Sequence, residues 1–415
     1  MQGLLGLSGQ NGVWTVPRGK SCGLRDSAMQ VARSSLVMSY LFVSVVSCGG
    51  PARHQAHTGH QSERRVVRAA PLGVGIAFTG QLPHMDTGKL ARRLDDVAAL
   101  GARWIRVDLS WAEVQRGGAN TFEWANFDRV VTQAHSRNIE VLPVLAYSPA
   151  WARPSGCGDD KCGPANAADF GRFAAAAAQR YSSLGVHYWE IWNEQNLARF
   201  WAPKPSVVDY VKLVRDASVA IRAVDGMAHI VAGGLAATRR RDGVAVLHTA
   251  PPNVAPLEFL QEACENGIGD YVDSVGYHPY TFPLVPGGSL LRRAPNSWDL
   301  IEKTRVSFSS ILRDCGSRSP DVWLTEFGAP TEGGANGGGM LRGTVSEREG
   351  LQAEIASSAV KLANGSQCIG ALFWYTDADS GDTGTQEGFF GLRRADGSAK
   401  PGYAALRDGV RAIRS

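Results

Sequence analysis

The chain has 415 residues, 44% of them hydrophobic and 20% charged, a globular composition that excludes wholesale disorder and collagen-like repeats. Its formal net charge is only +4, and the longest arginine run is the triplet Arg239, Arg240 and Arg241, so no nucleic-acid partner is expected. That length suits one large α/β barrel or two ordinary domains.

The first strongly apolar run, residues 36–46, is too short for the roughly 20 residues of a membrane-spanning helix and fits the apolar centre of a signal peptide. Arg33 supplies a positive charge before it, and Val45-Val46-Ser47-Cys48 closes it. That ending resembles the bacterial lipobox. The resemblance implies lipidation of Cys48 and an exported protein anchored on the outer face of the cytoplasmic membrane. A secretion signal opens with its charged region, so Met29 is the expected start and residues 1–28 an extension. Residues 49–72 are rich in Pro, His, Gln, Ser and Arg, cannot bury enough surface to fold, and read as a tether. His54, His57 and His60 invite a metal reading, but the only nearby acid is Glu63; a solvated linker is expected. Residues 73–415 form the folded domain, expected to be monomeric.

In an oxidising compartment Cys157 and Cys162, five apart in a Gly/Asp-rich loop, suit a local disulfide. A zinc site would need two more ligands at suitable spacing. Cys264, Cys315 and Cys368 cannot all pair with one another, so at least one is expected to be a buried thiol.

Short β-branched or aromatic runs predict strands over 74–80, 104–111, 141–148, 187–194, 229–235, 271–280, 322–327 and 369–376. Longer stretches of helical period predict helices over 87–100, 124–137, 165–184, 206–224, 256–266, 297–314, 346–363 and 401–413. Eight strand–helix units of this size predict a single (β/α)8 TIM barrel with extended βα loops. The alternative, an open doubly wound sheet, usually shows a Gly-rich phosphate turn after its first strand, and Gly73-Val74-Gly75 does not continue into one.

Chemistry in such barrels sits at the C-terminal strand ends. The fourth strand ends Trp189-Glu190-Ile191-Trp192-Asn193-Glu194 and the seventh Trp323-Leu324-Thr325-Glu326-Phe327-Gly328. By simple alternation Trp192 and Glu194 share a direction and Asn193 points away. A glutamate ending an apolar strand is out of place in a core, and two of them across one barrel mouth match the paired carboxylates of glycoside hydrolysis.

The Asn193-Glu194 pair, Glu326 and the aromatic-rich strand Phe373-Trp374-Tyr375 resemble glycoside hydrolase clan A, especially families 5 and 39. The resemblance covers the chain from Gly73 onward. It departs from family 5 after the third strand, where Tyr147-Ser148-Pro149-Ala150-Trp151 stands in place of a histidine, and so leans toward family 39 or a divergent branch of family 5. It implies a retaining mechanism on a polysaccharide or oligosaccharide, with Glu194 as acid/base and Glu326 as nucleophile. It further implies that Arg106 pairs with the nucleophile, Asn193 meets the sugar 2-hydroxyl and Trp374 forms a sugar platform. From the residues alone, His278 and Tyr280 can each point into the mouth, one near each carboxylate, and Trp151 and Trp201, with Trp111, offer stacking faces at strand ends. Gly388-Phe389-Phe390-Gly391-Leu392 and Lys400-Pro401-Gly402-Tyr403 read as fold-supporting. No metal or organic cofactor is expected. A surface enzyme of this kind would trim a cell-envelope or exported glycan, a galactofuranose-containing wall glycan being one option. The competing reading is a lectin-like barrel that kept the groove and lost turnover.

Overall fold

The fold is seen in a computed structural model that describes residues 71–414 apart from 239–244, 247, 250, 289–293, 317–320, 334–342 and 383. Cys48, the signal region, nearly all of the tether with its histidines, and the Arg239–Arg241 triplet lie outside the described residues. No helix among the described residues is long and apolar enough to cross a membrane.

The chain alternates β1 (Gly73–Thr79), α1 (Thr87–Leu100), β2 (Trp104–Ser110), α2 (Ala125–His135), β3 (Glu140–Ala146), α3 (Ala167–Tyr181), β4 (Tyr188–Asn193), α4 (Val207–Arg222), β5 (His229–Ala236), α5 (Pro256–Glu265), β6 (Ser274–His278), α6 (Phe308–Asp314), β7 (Asp321–Phe327), α7 (Val345–Gly365), β8 (Ile369–Tyr375) and α8 (Pro401–Arg414). The eight strands close in sequence order into a barrel, every pair parallel, with β1 against β8. This is the expected single (β/α)8 barrel.

Local signals set the helix ends. The Asp86 side chain accepts from the Lys89 N–H at the start of α1, and Gly101 ends that helix in the left-handed region at φ 81°. Thr344 and Glu347 form a reciprocal capping box at the start of α7. One helix is shorter than its periodicity predicts. Over 297–314 the chain makes a single 3-10 turn, Trp298–Leu300, before α6 begins at Phe308. The Thr304 hydroxyl donates to the Val306 carbonyl, and Ser307 with Ser310 forms a fresh capping box, so local side-chain bonds outcompete helix continuity between them.

Two disulfides are formed. Cys157–Cys162 closes the loop after β3, as expected, and Cys264–Cys315 ties the end of α5 to the end of α6. Cys368 is the unpaired one, half-buried beside β8.

Inside the barrel the strand alternation stacks side chains in layers. The lower layers are apolar: Ala77, Leu142, Val231, Ala371 and Phe373 pack with Trp104, Tyr188 and Trp323, and His229 stacks on Trp323 at 5.2 Å. Above them, towards the C-terminal strand ends, the filling changes to Arg106 and Glu190, both fully buried. The polar layer forms the floor of the site.

Candidate active site

Arg106 holds that floor together. Its Nε and Nη2 donate to the two carboxylate oxygens of Glu190 at 2.6 and 3.0 Å, its Nη1 to Glu326 Oε1 at 2.6 Å, and its Nη2 also to Asn193 Oδ1 at 2.7 Å. Burial alone would disfavour the guanidinium charge, yet the two carboxylates more than compensate and hold its pKa above the ordinary value. The expected partner of Arg106, Glu326, is therefore joined by one that motif reading passed over. Glu190 was detectable, because a charge in the middle of a barrel strand requires an opposite charge and Arg106 occupies the middle of β2.

Glu326 ends β7, with side-chain exposure of 11%. Its second oxygen accepts from the Tyr280 hydroxyl at 2.9 Å, and His278 Nδ1 stands 3.8 Å away. Burial raises its pKa as the largest single effect, but the charges of His278 and Arg106 and the hydrogen bonds from Tyr280 and Arg106 together bring it below 4.5. The same neighbourhood acts oppositely on Tyr280, where burial and the Glu326 charge push the phenol well above 10 and keep it a donor.

Glu194 follows β4 on the opposite side of the ring. Its Oε1 lies 2.9 Å from His278 Nδ1, and its side chain is 16% exposed. His278 Nε2 lies 3.1 Å from the Thr325 hydroxyl. A proton on Nδ1 is donated to Glu194. As the residues suggested, His278 serves one carboxylate and Tyr280 the other. One oxygen each of Glu194 and Glu326 and a ring nitrogen of His278 lie within 4.8 Å of one another. A cation at that point would share Glu326 with the guanidinium of Arg106 and Glu194 with the His278 N–H.

The alternation expected for the end of β4 fails. Trp192 has φ 72° and Glu194 φ 48°, both left-handed. The first turn sends Trp192 outward, where it packs on Phe170 and Trp201 and donates to the Phe200 carbonyl at 2.7 Å. Asn193 is thereby rotated inward to Arg106, so Trp192 and Glu194 do not share a direction. Gly234 makes room: a Cβ there would stand 2.1 Å from His278 Nε2. Its N–H donates to Glu190 and its carbonyl accepts from Glu194 N, each at 2.9 Å.

These side chains open into a cavity of about 370 Å³ lined also by Thr79, Asp108, Tyr147, Arg199, Phe200, Tyr375, Gln386, Glu387 and Phe390. Three expected tryptophans do not line it. Trp374 is fully buried, edge-on to Phe327 with its N–H toward the Phe390 carbonyl; its neighbour Tyr375 faces the cavity instead. Trp201 is 5% exposed, wedged between Trp192 and Tyr210. Trp151 is 36% exposed but leans on Trp111 and donates to the Gln115 carbonyl away from the cavity. Sequence spacing places aromatic residues near a rim, but competition for the apolar space under it decides which faces stay free. Phe390 adds a lining role to a motif read as fold-supporting, while Lys400 is fold-supporting, donating to Thr331 and Asp379 at 2.8 Å each.

No family model and no curated protein matches the sequence. Solved structures do match the fold. A family 39 glycoside hydrolase from the gut symbiont Bacteroides cellulosilyticus superposes with a TM-score of 0.62 at 21% identity over 83% of this chain. Other matching structures are also glycoside hydrolases. They include a GH5_18 structure from Streptomyces cattleya in complex with GlcNAc, with a TM-score of 0.57 at 16% identity over 84% of this chain and 82% of that one. A monomeric β-xylosidase from Caulobacter crescentus gives 0.52 at 20% identity over 82% of this chain and 69% of that one. The chain spans 64% of the length of the Bacteroides enzyme. At these identities the likeness is one of fold, and the site must be argued from its own geometry.

Proposed function

We propose that this protein is a retaining glycoside hydrolase in which Glu326 is the nucleophile and Glu194 the acid/base. The observation that carries the reading is the spacing and unequal wiring of the two glutamates. Retaining enzymes hold their carboxyl groups about 5–5.5 Å apart, inverting ones about 6.5–9.5 Å apart to admit a water. Here one oxygen of Glu194 and one of Glu326 lie within 4.8 Å of each other and of a His278 ring nitrogen, a close approach of the kind the shorter spacing requires. Arg106 and Tyr280 both donate to Glu326, which keeps it ionised for attack on the anomeric carbon. Among the described residues neither a guanidinium nor an ammonium bonds Glu194, which reaches the open side of the cavity, where a leaving oxygen needs a proton.

The reaction then runs in two displacements. Glu326 attacks as Glu194 gives its proton to the departing oxygen, and the bond between sugar and aglycone breaks. Attack consumes the negative charge of Glu326, so Glu194, now a carboxylate, takes a proton from water, which displaces Glu326 and restores both groups. Asn193, whose Oδ1 is committed to Arg106, presents its Nδ2 to the sugar 2-hydroxyl. The substrate is a β-linked cell-envelope or exported polysaccharide, within reach of an enzyme held to the membrane by lipid on Cys48. The mass of the processed N-terminus tests that anchor: an unlipidated Cys48 rejects it.

The acid/base role has its own test. Glu194→Ala is expected to lower kcat/KM about 10²–10⁴-fold on glycosides with poor leaving groups and less than about tenfold on dinitrophenyl glycosides, which need no proton. Added azide should restore turnover and give a β-glycosyl azide. Equal losses on both substrate classes, or product of inverted configuration from the unaltered enzyme, would reject the assignment. A lectin-like barrel would release no sugar in any of these assays.

A further inference from the structure

The two-step mechanism leaves one wall of the mouth without a task. Asp108 stands two residues beyond Arg106 on β2, so it shares the inward face of that strand, and it lines the cavity beside Thr79, Tyr147 and Glu326. It is part-exposed, and no described residue donates a hydrogen bond to either of its oxygens. Charged groups surround it without touching it: Arg106 on its own strand, Glu190 on β4, Glu326 on β7 and Lys161 from the disulfide-closed loop, whose ammonium lies 3.8 Å above the Tyr147 ring. Burial, partly offset by Arg106, raises its pKa to about 6. The flanking backbone is strained. Thr79, a β-branched residue, has φ 53° at the end of β1, and Tyr147 has φ 70° just after β3. With Trp192 and Glu194, they account for four of the five non-glycine residues with positive φ among the described residues, and all four stand at C-terminal strand ends.

A carboxylate held in a cavity without donors weakens the empty protein and is satisfied when a ligand brings donors of its own. Resting on the glycosidase reading above, we propose that Asp108 is the specificity-determining residue of the glycone site. It accepts hydrogen bonds from free hydroxyls of a neutral sugar and repels a glycone that carries a carboxylate. Glu326 takes the anomeric carbon and Asn193 faces C2, so the hydroxyls further round the ring, at C3 and C4, meet the wall formed by Thr79, Asp108 and Tyr147.

The test is a cycle between enzyme and substrate. Of the p-nitrophenyl β-xyloside, β-glucoside and β-mannoside, the one cleaved fastest is compared with its 3-deoxy and 4-deoxy analogues on the wild type and on Asp108→Ala. Loss of a hydrogen bond to a charged group is worth roughly 10- to 100-fold, and that loss in kcat/KM is expected for the alanine variant on the parent glycoside and for the wild type on the deoxy analogue. The alanine variant should lose less than about threefold further on that analogue. Asp108→Asn, isosteric and free of the buried charge, provides the same cycle should the alanine form fail to fold, and it should melt no lower than the wild type at pH 7. An active wild type whose variant loses the same factor on the parent and both deoxy analogues overturns this inference alone. A wild type that cleaves none of these glycosides and releases no reducing sugar from a panel of β-glycan oligomers overturns the glycosidase reading with it.

Discussion

Glu326→Gln is expected to abolish turnover, with kcat down at least about 10⁴-fold on activated and unactivated glycosides alike, because it removes the carboxylate that forms the glycosyl bond. The amide keeps the side-chain volume, its oxygen still accepts from Arg106, and its NH2 can donate to the Tyr280 hydroxyl oxygen, so the loss should come without unfolding. The smaller Glu326→Ala leaves a space below the anomeric carbon. Azide entering it should produce an α-glycosyl azide, of opposite configuration to the β-azide expected from Glu194→Ala. This crossed pair of products distinguishes nucleophile from acid/base without reference to any relative. Undiminished release of reducing sugar by Glu326→Gln, or the same azide anomer from both variants, would show the roles to be wrong.

The second large effect concerns Arg106. Replacing it by Met removes the only cation bonded to Glu190 among the described residues and leaves Glu326 without its guanidinium. Stranding a buried charge in this way costs about 3–5 kcal/mol, and two are stranded here. Arg106→Met is therefore expected to lose at least about 3 kcal/mol in denaturant unfolding at pH 7, along with nearly all activity. The deficit should depend on pH. In the wild type Glu326 has a lowered pKa, so its contribution is full above about 4.5, the ordinary glutamate value, and fades as pH falls through the lowered one. In the variant both stranded carboxylates can escape their penalty by taking up protons. The gap between the two proteins should then be widest near neutrality and narrow in acid. Arg106→Lys retains a charge but cannot form the planar fork that meets Glu190, Glu326 and Asn193 together, so it should recover stability only in part. A gap that widens in acid, or an Arg106→Met protein as stable as the wild type, would show that the floor does not depend on this cation.

Much of this arrangement was legible before any fold was available. Strand and helix periods differ enough to count eight of each, and a glutamate ending an apolar strand is conspicuous wherever it occurs, so the barrel, Glu194 and Glu326 follow from local pattern. Alternation along the extension of β6 also carried His278 and Tyr280 to the correct side. The remainder depended on contacts between segments far apart in sequence. Glu190 acquires meaning only when β4 lies two strands from β2 and its carboxylate meets Arg106, 84 positions earlier. Trp192 turns outward because φ 72° interrupts the alternation, a choice made by the outer packing on Phe170 and Trp201. Trp374 and Trp201 are buried and Tyr375 is not, since the rim has room for only some of its aromatic residues. Periodicity is a property of neighbours along the chain; charge pairing and the allotment of apolar space are properties of the closed barrel, and only the tertiary structure decided them.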